Sequence, residues 1–267
     1  MRTAPWVRAL PVIALFLHPA SATALTLDSF SQALPPNPCL PLSNQPVVFT
    51  GSYCDGVACP PDPWVTCGQS EVTQFGLPGV IAGARRQVGV NTWTDEPVHA
   101  RVDLVAHRLQ IAFEGVHEAI AGVSYGTPGN PYPEPGALNL NLIALGATSV
   151  QVPLDGNLSP ATPLLLLVEF LSDGDEIPRP SASATVVVQQ PGIVDIPLAA
   201  FVPLLGFTMA DVDDIEIWFG NCLDADNGCD GDATFPPMAF SVGPIEIVTP
   251  PTASRRSSWG HLKQLYR

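Results

Sequence analysis

An acidic loop near the C-terminal end of this 267-residue chain is the feature most suited to chemistry. Within residues 221–232 four aspartates stand among glycines, asparagines and two cysteines: Asp224, Asp226, Asp230 and Asp232. Calcium takes about six to eight oxygen ligands, and closely spaced carboxylates with glycines between them can supply several. The pattern predicts a structural calcium site, and the alternative is a solvated acidic hairpin tip.

A second candidate site lies on the strand predicted at residues 214–219. Its apolar side chains alternate, at Ile215, Ile217 and Phe219. Because side chains alternate between the two faces of a strand, Glu216 and Trp218 share the other face. A tryptophan can stack on a sugar ring while a carboxylate beside it accepts hydrogen bonds from the sugar hydroxyls. We therefore predict ligand binding by Trp218 and Glu216, with a tryptophan covered by a neighbouring loop as the alternative.

The six cysteines predict disulfides rather than metal binding. They form two clusters, Cys39, Cys54, Cys59 and Cys67, then Cys222 and Cys229. Neither cluster contains the C-x-x-C spacing or the nearby histidine typical of zinc sites. The clustering favours two bridges in the first group and one in the second, in an oxidising compartment.

Catalysis has little support in the sequence. The G-x-S-x-G match at residues 122–126 falls within a predicted strand rather than at the strand-to-helix turn of a nucleophile elbow, and the chain has no H-E-x-x-H or P-loop motif. Three histidines, His99, His107 and His117, fall in or beside one strand–turn–strand stretch without a ligand pattern. We predict a protein that is not an enzyme, and a glycoside hydrolase is the less favoured alternative because the many carboxylates make no one pair informative.

The N-terminal segment predicts export. Arg2 and Arg8 precede or flank a short apolar run, and small residues follow it up to Ala24. This order is typical of a secretory signal peptide, and the run is too short to span a bilayer. We expect cleavage after Ala24, a mature chain of residues 25–267 without a transmembrane segment, and a secreted or extracytoplasmic location.

Composition and charge limit the classes of partner that we expect for this protein. Thirty prolines and 22 glycines disfavour long helices. All 25 acidic residues lie between residues 25 and 250 against five arginines, a formal charge of −20 (5 minus 25). Such a surface repels nucleic acid and anionic lipid, so we expect neither as a partner.

Short strands separated by turn residues predict an all-β antiparallel sandwich. An apolar phase flip around residues 106–108 predicts two strands joined by a turn. The run at 164–171 predicts a fully buried strand, and one turn of helix is expected near 198–205 or 209–212. The other strands are predicted at 25–30, 119–125, 138–145, 184–188, 193–196, 214–219 and 239–247.

Two segments depart from this regular pattern. Residues 31–75 carry four of the cysteines and many prolines, which predicts an irregular insertion stapled by disulfides. Residues 250–267 begin with a Pro-Pro pair and carry four basic residues. This tail is either a frayed end or an attachment segment, so a structural protein of the cell envelope is the alternative function.

Several short motifs resemble the galactose-binding-like jelly-roll modules of secreted, largely uncharacterised bacterial proteins. They are LDSF at 27–30, GVIAGARR at 79–86, VSYG at 123–126, VDIPL at 194–198, ADVDDIEI at 210–217 and the closing strand at 240–248. The resemblance implies a structural calcium held by acidic residues of the first and last strands, here Asp28 and Glu246. Many such proteins carry a PEP-CTERM-type sorting tail, and the C-terminus here lacks its Pro-Glu-Pro motif.

The sequence thus predicts a jelly-roll β-sandwich over residues 25–249 with a non-catalytic binding function. The expected partner is a carbohydrate or a cell-surface component, and the expected cofactor is calcium.

Overall fold

Period-two alternation of apolar residues builds two sheets that share one core. The computed structural model describes residues 23–34, 47–49, 71–81, 85–92, 98–114, 119–126, 138–172, 179–221 and 235–249. These residues form fifteen strands and a 3₁₀ turn at Leu198–Ala200. The turn lies in the first of the two places where a helical turn is predicted.

The strands follow one another along the chain as β1 (Thr23–Asp28), β2 (Val47–Phe49), β3 (Glu71–Phe75), β4 (Arg85–Thr92), β5 (Val98–Asp103), β6 (Arg108–Phe113), β7 (Ala119–Gly126), β8 (Ser149–Gly156), β9 (Leu164–Leu171), β10 (Ser181–Val188), β11 (Gly192–Pro197), β12 (Val202–Leu204), β13 (Asp214–Gly220), β14 (Met238–Val242) and β15 (Ile245–Thr249).

Both sheets are antiparallel. The first sheet has the order β1-β15-β8-β14-β6-β5-β2, and β11 adds to the free side of β8. The second sheet has the order β12-β10-β9-β13-β7-β4-β3. The predicted all-β sandwich is confirmed, and β13 occupies the middle of the second sheet.

The inner faces of the two sheets supply the core. On β9 the buried side chains are every second residue, Leu164, Leu166, Val168 and Phe170, each with 0% exposure. The residues between them are half-buried. The prediction of a fully buried strand at 164–171 is therefore wrong for one face, because β9 is covered by the opposite sheet on its core side only.

The last predicted strand, at 239–247, divides into β14 and β15. Both pair with β8, but their registers differ by one residue, since Val242 pairs with Leu154 and Glu246 with Gln151. The Gly243 N–H donates to the Pro153 carbonyl at 2.8 Å between them. This bulge keeps Val242 and Ile245 both facing the core although three positions separate them.

The strand predicted at 138–145 is a loop in the structure. Leu140 makes one isolated bridge to Val212, and a turn follows it. The Asn141 side chain accepts a hydrogen bond from the Ala144 N–H at 2.7 Å, which favours the turn over an extended chain. The apolar side chains of this segment instead anchor the loop to the core, where Leu142 is fully buried.

The predicted insertion at 31–75 contributes to both sheets. Its described parts include β2 at the edge of the first sheet and β3 at the edge of the second. The cysteines of this segment lie outside the described residues, so the disulfide staple stays a prediction. In the described part of the chain, no helix is long and apolar enough to cross a membrane.

The start of β1 bears on the predicted signal peptide. Thr23 and Ala24 pair with Thr249 and Val248 of β15, so the first sheet includes two residues on the N-terminal side of the expected cleavage point. Cleavage after Ala24 stays a prediction. The tail from residue 250 onward lies outside the described residues.

Candidate functional site

The predicted calcium loop lies outside the described residues. This applies to Asp224, Asp226, Asp230 and Asp232 as well as to the two cysteines that stand among them. In the described part of the chain, no three His, Cys, Asp or Glu side chains converge on a point that could hold a metal ion. Calcium binding by the loop stays a prediction.

Asp28 takes part in a buried network between the two sheets. Its carboxylate lies 3.2 Å from Nη1 of Arg86 and accepts hydrogen bonds from the Phe30 N–H at 2.7 Å and the Tyr125 hydroxyl at 3.3 Å. Asp28 is 0% exposed and Arg86 is 1% exposed. Arg86 thus occupies the position beside Asp28 that a cation would need.

The remaining donors of Arg86 are also engaged. Its Nη2 donates to the Gln32 carbonyl at 2.8 Å and to Oε1 of Gln74 at 2.6 Å. Burial raises the pKa of Asp28 above its ordinary value, and the nearby Arg86 opposes that rise. Burial and the charge of Asp28 hold the pKa of Tyr125 well above its ordinary value.

Glu246 lies on the other side of the β1–β15 pair. Its neighbours Ile245 and Ile247 are fully buried in the core, so the half-buried Glu246 points away from it. Asp28 points inward to Tyr125. The structure therefore does not bring these two predicted calcium ligands together.

Trp218 and Glu216 share the outer face of the second sheet, as predicted. Ile215, Ile217 and Phe219 are fully buried, and the two predicted ligand-binding residues are half-buried. The indole Nε1–H of Trp218 donates to Oε2 of Glu216 at 2.8 Å. This hydrogen bond restricts the rotation of both side chains.

Gly122 makes room for the indole ring. It is the cross-strand partner of Trp218 on β7, and a Cβ added there would lie 2.3 Å from Cε3 of the indole. The ring therefore lies across the backbone of β7 rather than standing away from the sheet. A side chain at residue 122 would push the ring outward.

Carboxyl groups lie to one side of this tryptophan, toward the start of β13. Glu216 pairs directly with Glu169 of β9, and Asp214 lies two residues before it on β13. Burial, together with the negative charge of Glu169, raises the pKa of Glu216. Burial and the charge of Glu216 raise the pKa of Asp214 to about 8. The face offers acceptor oxygens beside an aromatic ring.

A polar row continues across the strands at the level of Glu216. Ser124 on β7 is its cross-strand partner, and Gln87 on β4 is the partner of Ser124. Arg85 donates a hydrogen bond to the Gln87 side chain. These residues were not predicted, because their place in the row depends on pairings between strands far apart in sequence.

The outer face of the first sheet carries a depression of about 500 Å³ that sequence reasoning also missed. The polar side chains around it include His99, Arg101, Gln110, Glu114, Asp155 and Ser241. The outward alternation of His99 and Arg101 along β5 was visible in the sequence. The floor of the depression was not visible in the sequence, since it depends on the pairing of β6 with β14.

Comparisons with known proteins give no family. No family model matches the chain, and no curated protein matches it in sequence. Among solved structures, it is similar to a family 11 carbohydrate-binding module from Clostridium thermocellum in complex with a β-1,3-1,4-mixed-linked tetrasaccharide. That match has 10% identity and a TM-score of 0.33 and covers 68% of this chain and 90% of the module.

Two further structures match at a similar level. The family 11 carbohydrate-binding module of the cellulosomal cellulase Lic26A-Cel5E of Clostridium thermocellum has 11% identity and a TM-score of 0.32 over 68% of this chain and 88% of the module. The structure of PfGH50B has 11% identity and a TM-score of 0.33 over 58% of this chain and 22% of its own. Likeness at this level assigns no ligand and no activity to this chain.

The network around Asp28 generates a stability prediction. Replacing Arg86 with methionine leaves the Asp28 carboxylate buried without its cation, which should lower the free energy of unfolding by about 3–5 kcal/mol. The double variant Asp28→Asn/Arg86→Met removes both charges and should recover much of that loss. Urea unfolding of wild type, both single variants and the double variant measures this, and additive losses would contradict it.

Asp214 generates a pH prediction. Its pKa in the folded state, about 8, exceeds the ordinary value of 3.8, so the folded state binds more protons than the unfolded state between these pH values. The contribution of Asp214 to stability is therefore complete below pH 4 and is lost as pH rises through about 8. Asp214→Asn should flatten this decline and raise the free energy of unfolding at pH 9 by about 1 kcal/mol or more.

The control for this prediction is Asp155→Asn, because the side chain of Asp155 is exposed. Thermal unfolding of both variants between pH 4 and pH 9 gives the comparison. A decline with pH that is equally steep in wild type and in Asp214→Asn would show that Asp214 does not cause it.

Proposed function

We propose that this protein is an exported, non-catalytic carbohydrate-binding module that uses Trp218 and its neighbours on the outer face of the second sheet. The observation that carries the proposal is the fixed position of the indole ring. Its Nε1–H is held by Glu216, and the ring lies across Gly122. A ring held in place before binding loses little conformational entropy when a ligand stacks on it.

The chemistry of the surrounding row fits a sugar. A pyranose ring presents C–H groups on its faces and hydroxyls at its edge. The C–H groups pack on an aromatic ring, and the hydroxyls hydrogen-bond to groups at its side. Glu216 and Glu169 are half-buried and lie on adjacent strands at one level, so their oxygens are within reach of one ligand.

The arrangement favours binding over hydrolysis. Glycoside hydrolases place two carboxyl groups on either side of the scissile bond. Glu216 and Glu169 instead stand side by side on one face of one sheet, at directly paired positions. A glycosidic bond lying on this surface would meet both carboxylates from the same side.

Structural calcium belongs to the same proposal. The aspartates at 224–232 support it by their number and spacing. A ligand that binds only the folded state stabilises it, so 5 mM calcium should raise the thermal midpoint by several degrees, and a chelator should lower it. The matched variant Asp226→Asn should reduce the response, and magnesium serves as the ionic control. Equal midpoints with calcium and with chelator would exclude the site.

Trp218→Ala tests the binding proposal directly. It removes the stacking surface from an outward-facing position, so we expect a loss of affinity of about tenfold or more while the fold is kept. Trp218→Phe should lose less, because it keeps an aromatic ring but not the hydrogen bond to Glu216. Affinity electrophoresis in gels containing soluble polysaccharides measures both variants against wild type.

Gly122→Ala provides a second route to the same result. The added methyl group should lift the ring from β7 and lower affinity, while a change in tryptophan fluorescence reports the displacement. Trp218 and the neighbouring Glu216 and Glu169 thus form the proposed binding platform. Wild-type affinity in both Trp218→Ala and Gly122→Ala would refute this platform.

A further inference from the structure

The depression on the first sheet has a floor of small residues. At one level His99 on β5 pairs with Ala112 on β6, and Ala112 pairs with Ala239 on β14. Both alanines point outward, since their neighbours Ile111, Phe113, Met238 and Phe240 are buried. Two methyl groups side by side leave a trough between the longer side chains around them.

A continuous polar row forms the adjoining wall. Arg101 pairs with Gln110, Gln110 with Ser241, and Ser241 with Asp155. The row thus crosses four strands, a length of about 14 Å at the usual strand spacing. A ligand lying in the trough can contact donors and acceptors along this whole length.

Hydrogen bonds hold the wall in position. Nη1 of Arg108 donates to Oγ of Ser241 at 3.1 Å and lies 3.4 Å from Oδ2 of Asp155. Arg101 donates to the Gln110 side chain, and Nε2 of Gln110 donates to Oδ2 of Asp103 at 3.0 Å. The polar side chains are therefore ordered before any ligand arrives, which lowers the entropy lost on binding.

The charges of the depression compensate one another. Arg108 faces Asp155, and Nε2 of His99 lies 3.1 Å from Oε1 of Glu114. An anionic ligand would meet Glu114 and Asp155, and a cationic ligand would meet Arg101 and Arg108. An uncharged ligand rich in hydroxyl groups meets no like charge and can both donate and accept along the row.

We propose that this trough, with Ala112 and Ala239 as its floor and the row from Arg101 to Asp155 as its wall, is a second binding site for an uncharged oligosaccharide. Its volume lies in the range of about 300–1,000 Å³ usual for ligand sites. It shares a ligand class with the proposed function but none of its residues, and it lies on the opposite sheet. One molecule then presents two sites that face away from each other.

The experiment titrates ¹⁵N-labelled full-length protein with neutral oligosaccharides of the cello, xylo and manno series. Oligogalacturonate and oligochitosan serve as the anionic and cationic comparators. The backbone amides of Ala112 and Ala239 report on the trough, and the indole N–H of Trp218 reports on the other sheet. We expect both reporters to shift with at least one neutral series.

Ala239→Phe fills the trough from an exposed position, and Gln151→Phe is the control on the same face outside it. Ala239→Phe should weaken trough binding at least tenfold and leave the Trp218 shift unchanged. Gln151→Phe should change neither. Trp218→Ala should abolish the platform response while the alanine shifts persist.

Each outcome separates the two proposals. Shifts confined to Trp218, or an Ala239→Phe variant with wild-type affinity at the trough, overturn the second site alone. Shifts confined to the alanines overturn the platform alone, and the absence of both overturns the two together. Trough shifts that appear only with a charged comparator overturn the ligand class proposed here.

Discussion

The antiparallel register of β13 between β7 and β9 is the constraint on which the proposed platform depends. With Ile215, Ile217 and Phe219 fully buried, the intervening side chains must face outward. The same register places Gly122 beneath the indole ring and Glu169 beside Glu216. A shift of one residue would bury the carboxylate and the indole and expose the core residues, so the core and the platform are specified together.

The ion pair of Asp28 and Arg86 imposes a second constraint, on the spacing and alignment of the two sheets. Asp28 belongs to the first sheet, and Arg86 and Tyr125 belong to the second. Burying two charges costs several kcal/mol per ion, which is recovered only when the geometry satisfies both groups. The pair therefore tolerates little movement between the sheets, while apolar contacts alone would allow the sheets to slide.

The fold class could be predicted because alternation is a local signal. The turn between β5 and β6 follows from the apolar phase on either side of it, and the structure confirms both strands. The segment at 138–145 has the same alternation but forms a loop, since its leucines anchor it to the core and Asn141 stabilises a turn. The short edge strands β2 and β3 escaped prediction because proline-rich sequence surrounds them.

The candidate sites were predictable only where one strand carries the whole signal. Trp218 and Glu216 stand on the same strand two residues apart, so alternation alone places them together. The row through Ser124 and Gln87 and the trough over Ala112 and Ala239 depend on pairings of residues far apart in the chain. The ion pair of Asp28 also could not be predicted from its own strand, since its partner Arg86 lies 58 residues away in the sequence.

The two outer faces bring different chemistry to the two proposed binding sites. The second sheet presents a ring beside the carboxyl groups of Glu216 and Glu169, while the buried Asp214, whose pKa is raised to about 8 by burial and by the charge of Glu216, carries its proton at neutral pH. The first sheet presents compensated charges around a floor of methyl groups. On the first sheet Arg101 and Arg108 offset Glu114 and Asp155, whereas the second sheet keeps its carboxylates beside the indole. Because its charges are offset, the proposed trough would accept a neutral polymer without drawing cations in its place.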